Sequence, residues 1–304
     1  MIQPKSNQDY SLIEDLEIMS ELGNLVATYG TQAFNYLIKE AATNRHSPFF
    51  KALVENCYKL IIAYENYNGN PEWNGEYFIL QTLANFWHQL PQVCLFDVGA
   101  NQGNWSLKAN NIVSNAIIHC FEIAPNIFIK LKKNSQLFPN IITNEFGLSE
   151  AQGEIPIHYF PQADVLTTIT EYHQEYKFES ITTTGHVRKG DDYIKQYNID
   201  HVHFLKIDVE GAEPLVLKGL LKTFEQKKID VVQFEYGNIN ILTHYLLFDF
   251  YQFFVAKGYV IGKIFPNYVD FKKYAYGDEN FLGPNYLAVK KERQDLIEAL
   301  SYSG

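Results

Sequence analysis

The sequence predicts a doubly wound α/β fold: a mostly parallel sheet with helices on both faces, an antiparallel last strand, and a helical segment in front of it. Three observations predict it. Short apolar runs alternate with helix-patterned stretches from Val93 onward, the first run ends in a glycine turn, and no clear helix pattern separates the last two runs. Strands covered on both faces read as continuous apolar runs, which is the character of these segments.

From Tyr10 to about Leu90 apolar residues recur at helical spacing, as in Leu22, Leu25, Val26 and Tyr29 and again in Phe34, Leu37 and Ile38. Asn66 to Gly75, rich in Asn and Gly with Pro71, reads as a loop within that region. Val93–Val98 is the first buried strand and Ala116–Phe121 the second. Pro125 then opens a helix with Ile127, Phe128 and Leu131 on one face. Ile141–Phe146 reads as the third strand. Between Glu154 and Val187 the rhythm weakens, and Ile155, Ile157 and Tyr159 with Ile181–Thr184 suggest an inserted strand pair and a loop. The main rhythm resumes at His203–Val209, followed by a helix from Pro214 with Leu217, Leu220, Leu221 and Phe224 in register. The strand Ile229–Phe234, a helix through Tyr245–Ala256, and the strands Tyr259–Ile264 and Tyr286–Val289 complete the set, the last two expected as an antiparallel hairpin. The expected organisation is a helical segment over 1–90, the α/β domain over 91–292 and a tail over 293–304.

Composition narrows the function. The 304 residues are 46% hydrophobic and 20% charged, an ordinary globular balance. A formal net charge of −10 argues against nucleic acid, because phosphate recognition needs clustered Lys and Arg. The basic run Lys130, Lys132 and Lys133 falls where a helix ends and complements its dipole. Cys57, Cys94 and Cys120 form no C-x-x-C pair and read as small core residues of a reducing compartment. Met1–Tyr10 is polar, and no uninterrupted apolar stretch reaches ~18 residues, so the expectation is a cytoplasmic protein without a membrane span.

In an open α/β sheet the ligand lies outside the carboxyl ends of the strands, where the strand order reverses. The turn that falls there is D-V-G-A-N-Q-G, Asp97 to Gly103, with Val98 and Gly99 followed by Ala100, Asn101 and Gln102. Gly99 permits a sharp turn and Gly103 a close backbone approach, ahead of a helix with free N–H groups. A glycine pair after a strand can serve helix packing alone. Glu122, however, ends the next strand about 20 residues on, where a carboxylate accepts both hydroxyls of a ribose. NAD and S-adenosylmethionine share that ribose. Asp97 near the first glycine repels a pyrophosphate and suits the ammonium of a methionine moiety, which favours S-adenosylmethionine. The Tyr-x-x-x-Lys string of short-chain reductases occurs at Tyr259/Lys263, Tyr268/Lys272 and Tyr286/Lys290, never after the middle strands.

Two motifs, F-D-V-G-A-N-Q-G (Phe96 to Gly103) and F-L-K-I-D-V-E-G-A-E (Phe204 to Glu213), resemble the FkbM-type methyltransferases, a likeness that covers roughly Val93 to Val289. The resemblance implies a class I methyltransferase fold of Rossmann-like type and S-adenosyl-L-methionine held by Asp97, Gly99, Asn101, Gly103 and Glu122, to which Ala100 of the same turn and Asp208 are added as expected donor-binding residues. It also implies methylation of hydroxyl groups on sugars or small secondary metabolites. The family commonly has proline straight after the acidic residue of the second strand; here Ile123 stands there. The segment before Leu90 matches nothing in the resemblance and reads as a possible cover over the acceptor side.

Within the second motif, Lys206 and Asp208 point to the same side of their strand and Val209 to the other, while Glu210 and Gly211 begin the next turn. Asp208 therefore reaches the carboxyl edge beside the donor. Lys206, one pleat deeper, reads as a structural partner of Asp97 or Glu235 rather than a base, since a buried lysine needs a partner. Glu213 reads as a carboxylate at a helix N-terminus. The catalytic candidates are Asp208, Glu210 and Glu235, as a direct base or as oxygen ligands of a divalent ion, with the metal-free version preferred. His186, His201, His203 and His244 are weaker alternatives. Two other functions stay open at this point: an NAD-linked oxidoreductase, and a catalytically silent scaffold that binds an adenosine ligand.

Overall fold

A computed structural model of the chain describes residues 27, 30–162, 167–169 and 180–302. It contains two compact units that divide between Ile61 and Ile62. In the first, helices run over Thr31–Ala41 and from Pro48, the second continuing to Tyr64. Ser47 caps that second helix, its Oγ accepting the Phe50 N–H at 3.2 Å. Leu22, Leu25, Val26, Tyr29 and the side chain of Phe34, all expected on a helical face, lie outside the described residues.

The second unit is built on an eight-stranded sheet. Its parallel strands are β1 (Val93–Val98), β2 (Ala116–Phe121), β3 (Ile141–Asn144), β7 (Val202–Ile207) and β8 (Ile229–Glu235). Three shorter strands, β4 (Gly147–Ser149), β5 (Gly153–Tyr159) and β6 (Ile181–Lys189), form a separate sheet in the order β4-β6-β5. The main sheet is completed by β9 (Tyr259–Phe265), β10 (Tyr268–Phe271) and β11 (Asn285–Lys290), in the order β10-β9-β11-β8-β7-β1-β2-β3. The chain starts at the centre, winds out through β2 and β3, and returns to β7 on the other side of β1, so the order reverses between β1 and β7. Strand β11 enters antiparallel between β8 and β9. A parallel sheet with this reversal and one antiparallel insertion is the class I methyltransferase arrangement.

Both faces are covered, as continuous apolar strands require. On one face Val93, Leu95, Phe204 and Val231 pack with Ile79, Leu83 and Trp87 of the helix Glu76–Trp87 and with Leu296 and Leu300 of the helix Gln294–Leu300. On the other, Phe96, Leu205 and Phe234 pack with Leu217, Phe224, Phe250 and Phe254. The helix Glu76–Trp87 therefore belongs to the α/β unit, whose start at Ile62 differs from the boundary expected at 90. Its apolar face is buried in the sheet's core. The expected tail likewise holds a packed helix, because Leu296 and Leu300 repeat at helical spacing and are fully buried.

Three other elements differ from expectation. The stretch from Pro214 forms two helices, Glu213–Gly219 and Leu221–Glu225, and Leu221 is exposed. The break follows Gly219, where a side chain would overlap the carbonyl oxygen of Ser149, so the small sheet lies directly on the helix end. The third strand stops at Asn144, whose side-chain amide donates to the Cys120 carbonyl at 3.0 Å, and the chain leaves for the small sheet. The last two expected strands do pair antiparallel, but β10 and a 3-10 turn lie between them, so they are not a hairpin. Among the described residues no helix is long and apolar enough to cross a membrane.

Candidate active site

The glycine turn after β1 is tied to both neighbouring strands. The N–H groups of Gly99 and Ala100 both donate to the Phe121 carbonyl at 3.0 Å. Gly99 has φ +86°, and a side chain there would overlap the carbonyl oxygen of Asp208, so the turn rests on the backbone of the second motif and only glycine fits. Asn101, also left-handed at φ +47°, donates its N–H to Glu122 Oε2 at 2.9 Å. The other oxygen of Glu122 accepts the Ala124 N–H at 2.8 Å. Burial pushes the Glu122 carboxyl up to about 7, against the pull of these backbone donors.

A cavity opens above this turn at the point where the strand order reverses. Of the binding residues expected from the sequence, Gly99, Asn101, Glu122 and Asp208 line it. Asp97, Ala100 and Gly103 do not; they shape the turn from beneath. Asp97 is fully buried, with Oδ2 accepting the Ser106 hydroxyl at 2.6 Å and Oδ1 without a hydrogen-bond partner among the described residues. Its pKa is raised by burial, with Lys206 and Ser106 opposing. Ile123, in the place of the family's usual proline, lines the same cavity. It packs on the small sheet at Gly185, where any side chain would collide with it.

Register explains the polar centre. Asp97 lies opposite Lys206, and Lys206 opposite Gln233, so the three share one face one pleat below the carboxyl edge. Lys206 Nζ donates to Asp208 Oδ2 at 2.6 Å. This corrects the pairing with Asp97 or Glu235 expected from the sequence: the lysine reaches up its own strand to Asp208, with Asp97 as a second, purely electrostatic neighbour. Burial works against the Lys206 ammonium, but Asp208, Asp97 and Glu76 outweigh it and raise its pKa. Ligand oxygens of Asp208, Glu210 and Glu235 all lie within 4.8 Å of one another. The convergence that strand spacing alone left open is thus present. Glu235 is raised well above the usual carboxylate range, by burial first and then by the charges of Asp208, Glu210 and Glu213. Glu210 sits at φ +52°, an unusual conformation for a non-glycine residue, of the kind that concentrates at functional sites.

Several participants escaped the sequence reading. Glu76 heads the helix Glu76–Trp87, and its carboxylate accepts from Asn74 (2.8 Å), Gln233 (2.8 Å) and Asn285 (3.1 Å). An acidic residue after Asn-Gly marks a helix start, but nothing in the sequence marks it as facing Lys206. Thr168 donates to the Glu210 carbonyl at 2.6 Å from the cavity wall, and no sequence signal singles it out. Glu213 accepts the Val209 and Gly211 N–H groups at 3.1 and 3.3 Å, so it does hold a helix entry. None of His186, His201, His203 and His244 lines the cavity.

The methyltransferase FkbM domain matches residues 97–261 of the chain. The hexuronic acid methyltransferase AglP of Haloferax volcanii is 27% identical over 144 residues, 47% of this chain and 56% of that protein. The methyltransferase sdnD of Sordaria araneosa is 26% identical over 154 residues, 41% of this chain and 60% of that protein. The matches thus span less than two thirds of either relative. The crystal structure of methyltransferase FkbM from Methylobacillus flagellatus superposes with a TM-score of 0.43 and 16% identity, covering 66% of this chain and 44% of that one.

Proposed function

The chain belongs to the FkbM methyltransferase family, and from that membership we propose that it methylates a hydroxyl of a sugar, glycan or small metabolite with S-adenosylmethionine as donor. The observation that carries the reading is the single cavity at the strand reversal that joins a ribose-type carboxylate, Glu122, to the Asp208 cluster. S-adenosylmethionine supplies a methyl group already activated on a sulfonium. Gly99, Asn101 and Glu122 would hold its adenosyl end, while the surplus of carboxyl groups around Asp97 and Asp208 suits its cationic end. The unpartnered buried oxygen of Asp97 fits that assignment. The name of the Haloferax relative supports a sugar acceptor.

Positioning supplies most of the acceleration in such a transfer, and the remaining need is a place for the hydroxyl proton. Asp208, ion-paired to Lys206, offers an accepting carboxylate oxygen at the cavity wall, while burial and the neighbouring carboxylates favour the neutral form of Glu235. In this reading Asp208 takes the acceptor's proton. The convergence of Asp208, Glu210 and Glu235 favours a second reading, in which they hold a divalent ion that activates the hydroxyl. The Lys206 ammonium already occupies Asp208 Oδ2, so the metal-free version is preferred.

Calorimetry with S-adenosylhomocysteine and NAD tests the donor, and turnover on a glycan panel containing uronic acids tests the acceptor. Binding of S-adenosylhomocysteine without NAD, and a methylated hydroxyl, are expected. NAD binding alone would restore the oxidoreductase, and donor binding without any turnover would leave the scaffold. Turnover abolished by EDTA and restored by Mg²⁺ would establish the metal version.

A further inference from the structure

A second concave surface lies away from the strand reversal, between the helix Leu247–Ala256 and the outer strands. The groove encloses about 830 Å³, within the ordinary range for ligand sites. One wall is the helix, whose 10 residues give a length of about 15 Å. The other is β9 with the segment that follows β10.

The lining of the groove is partly aromatic and partly cationic. Toward the start of the helix it is aromatic: Phe248 and Tyr251 both pack on Tyr274, with ring centroids 5.2 and 5.6 Å apart. Phe248 is 41% exposed and Val255, further along the same helix, 49%. The same lining carries three lysines. Lys272 is anchored by its N–H to the Ile261 carbonyl and Lys291 by its N–H to the Gly258 carbonyl, and both line the groove with Lys273. No Asp or Glu lines it, in a chain with a net charge of −10. Lys272 is neutralised from outside by Asp278 at 2.9 Å and Asp270 at 3.7 Å. Lys273 and Lys291 make no ion pair among the described residues.

We propose that this groove binds a single amphipathic anion, an alkyl chain lying on Phe248, Tyr251, Val255 and Tyr274 with a phosphate or carboxylate head between Lys273 and Lys291. The binding is separate from methyl transfer and stands whether or not the donor assignment does. Dodecyl phosphate, kept below its micelle concentration and titrated into the full chain by calorimetry, is expected to bind saturably. The affinity should fall about tenfold or more in the variant Lys273→Glu, Lys291→Glu and in Val255→Asp, all exposed positions where circular dichroism should show an intact fold. Inorganic phosphate and dodecyltrimethylammonium should not bind, one lacking the chain and the other reversing the head charge. Equal binding of the cationic amphiphile, or unchanged affinity in both variants, would overturn the proposal. So would co-sedimentation with anionic phospholipid vesicles without binding of the monomeric phosphate, or a dimer that Val255→Asp dissociates, since each names a different occupant.

Discussion

The two ends of one sheet treat charge in opposite ways. At the amino ends of the strands a single carboxylate, Asp230, meets two cations, Lys290 at 2.9 Å and Arg293 at 3.0 Å, and the His201 ring at 2.9 Å. At the carboxyl ends a single ammonium, Lys206, faces Asp208, Asp97 and Glu76, with Glu210, Glu213 and Glu235 around them. Burial acts to raise Asp230 at one end and Asp97, Glu213 and Glu235 at the other. At Asp230 the bonds and charges of His201 and Lys290 outweigh it and bring the pKa down to about 2. At the other end one cation cannot serve so many acids, and Glu235 is left raised. Where the charges are over-compensated the sheet is fastened; where they are under-compensated lies the cluster proposed above to meet the cationic end of the donor and the acceptor's proton.

The largest effect that could break this comparison is at Asp208. Asp208→Asn keeps the shape and the contact with Lys206 but removes the proton acceptor, so turnover should fall by roughly 10²–10⁴ while S-adenosylhomocysteine affinity changes little. Steady-state rates paired with calorimetry would check it, and undiminished turnover would remove Asp208 from both mechanisms. At the opposite end Asp230→Asn should leave turnover alone and cost stability. The loss should be about 2–3 kcal/mol at pH 7, below the range for a fully buried pair because His201 and Arg293 remain about a third exposed. The sign with pH is fixed by the lowered pKa: the contribution is present above about pH 4 and disappears as pH falls through about 2. Urea melts of parent and variant should therefore converge over that window.

A smaller effect is expected at Glu122. Glu122→Gln retains one oxygen for a backbone N–H and loses the charged acceptor, so S-adenosylhomocysteine binding should weaken by about 1.5–3 kcal/mol. Unchanged affinity by calorimetry would show that Glu122 serves only to hold Asn101 and Ala124.

How far the sequence carried these assignments differs between elements. β1 and β2 were legible to the residue, because a strand covered on both faces is a bare apolar run and its end is marked by Asp97–Gly99 or by Glu122. Glu122, Asp208 and Glu235 were legible as strand ends. What was not legible depends on groups far away in the chain. Gly219 breaks a helix only because Ser149 rests on it, and β10 is a strand only because β9 offers an edge. Likewise Glu76 becomes part of the site through Gln233 and Asn285, some 157 and 209 residues distant. The partner of Lys206 turned on a side-chain rotamer, which alternation along a strand does not specify.

Glu213 is the smallest test and the one that separates the two ideas of under-compensation and fastening, because it shares features of both. One oxygen accepts the Val209 and Gly211 N–H groups, as a structural carboxylate would, while Oε2 is buried without a partner among the described residues. Burial pushes its pKa up to about 7 despite those donors, with Asp208 adding to the rise. A folded-state pKa above the unfolded value means that the folded protein binds the extra proton, so stability is lost as pH rises from about 4.5 to about 7. Glu213→Gln keeps an accepting oxygen for the two N–H groups and abolishes the titration. The variant should accordingly match the parent near pH 4.5 and become the more stable of the two by on the order of 1–2 kcal/mol at pH 7.5. Equal pH profiles in urea melts would mean that Glu213 is compensated in solution, and that the deficit of positive charge is confined to Asp208, Glu210 and Glu235.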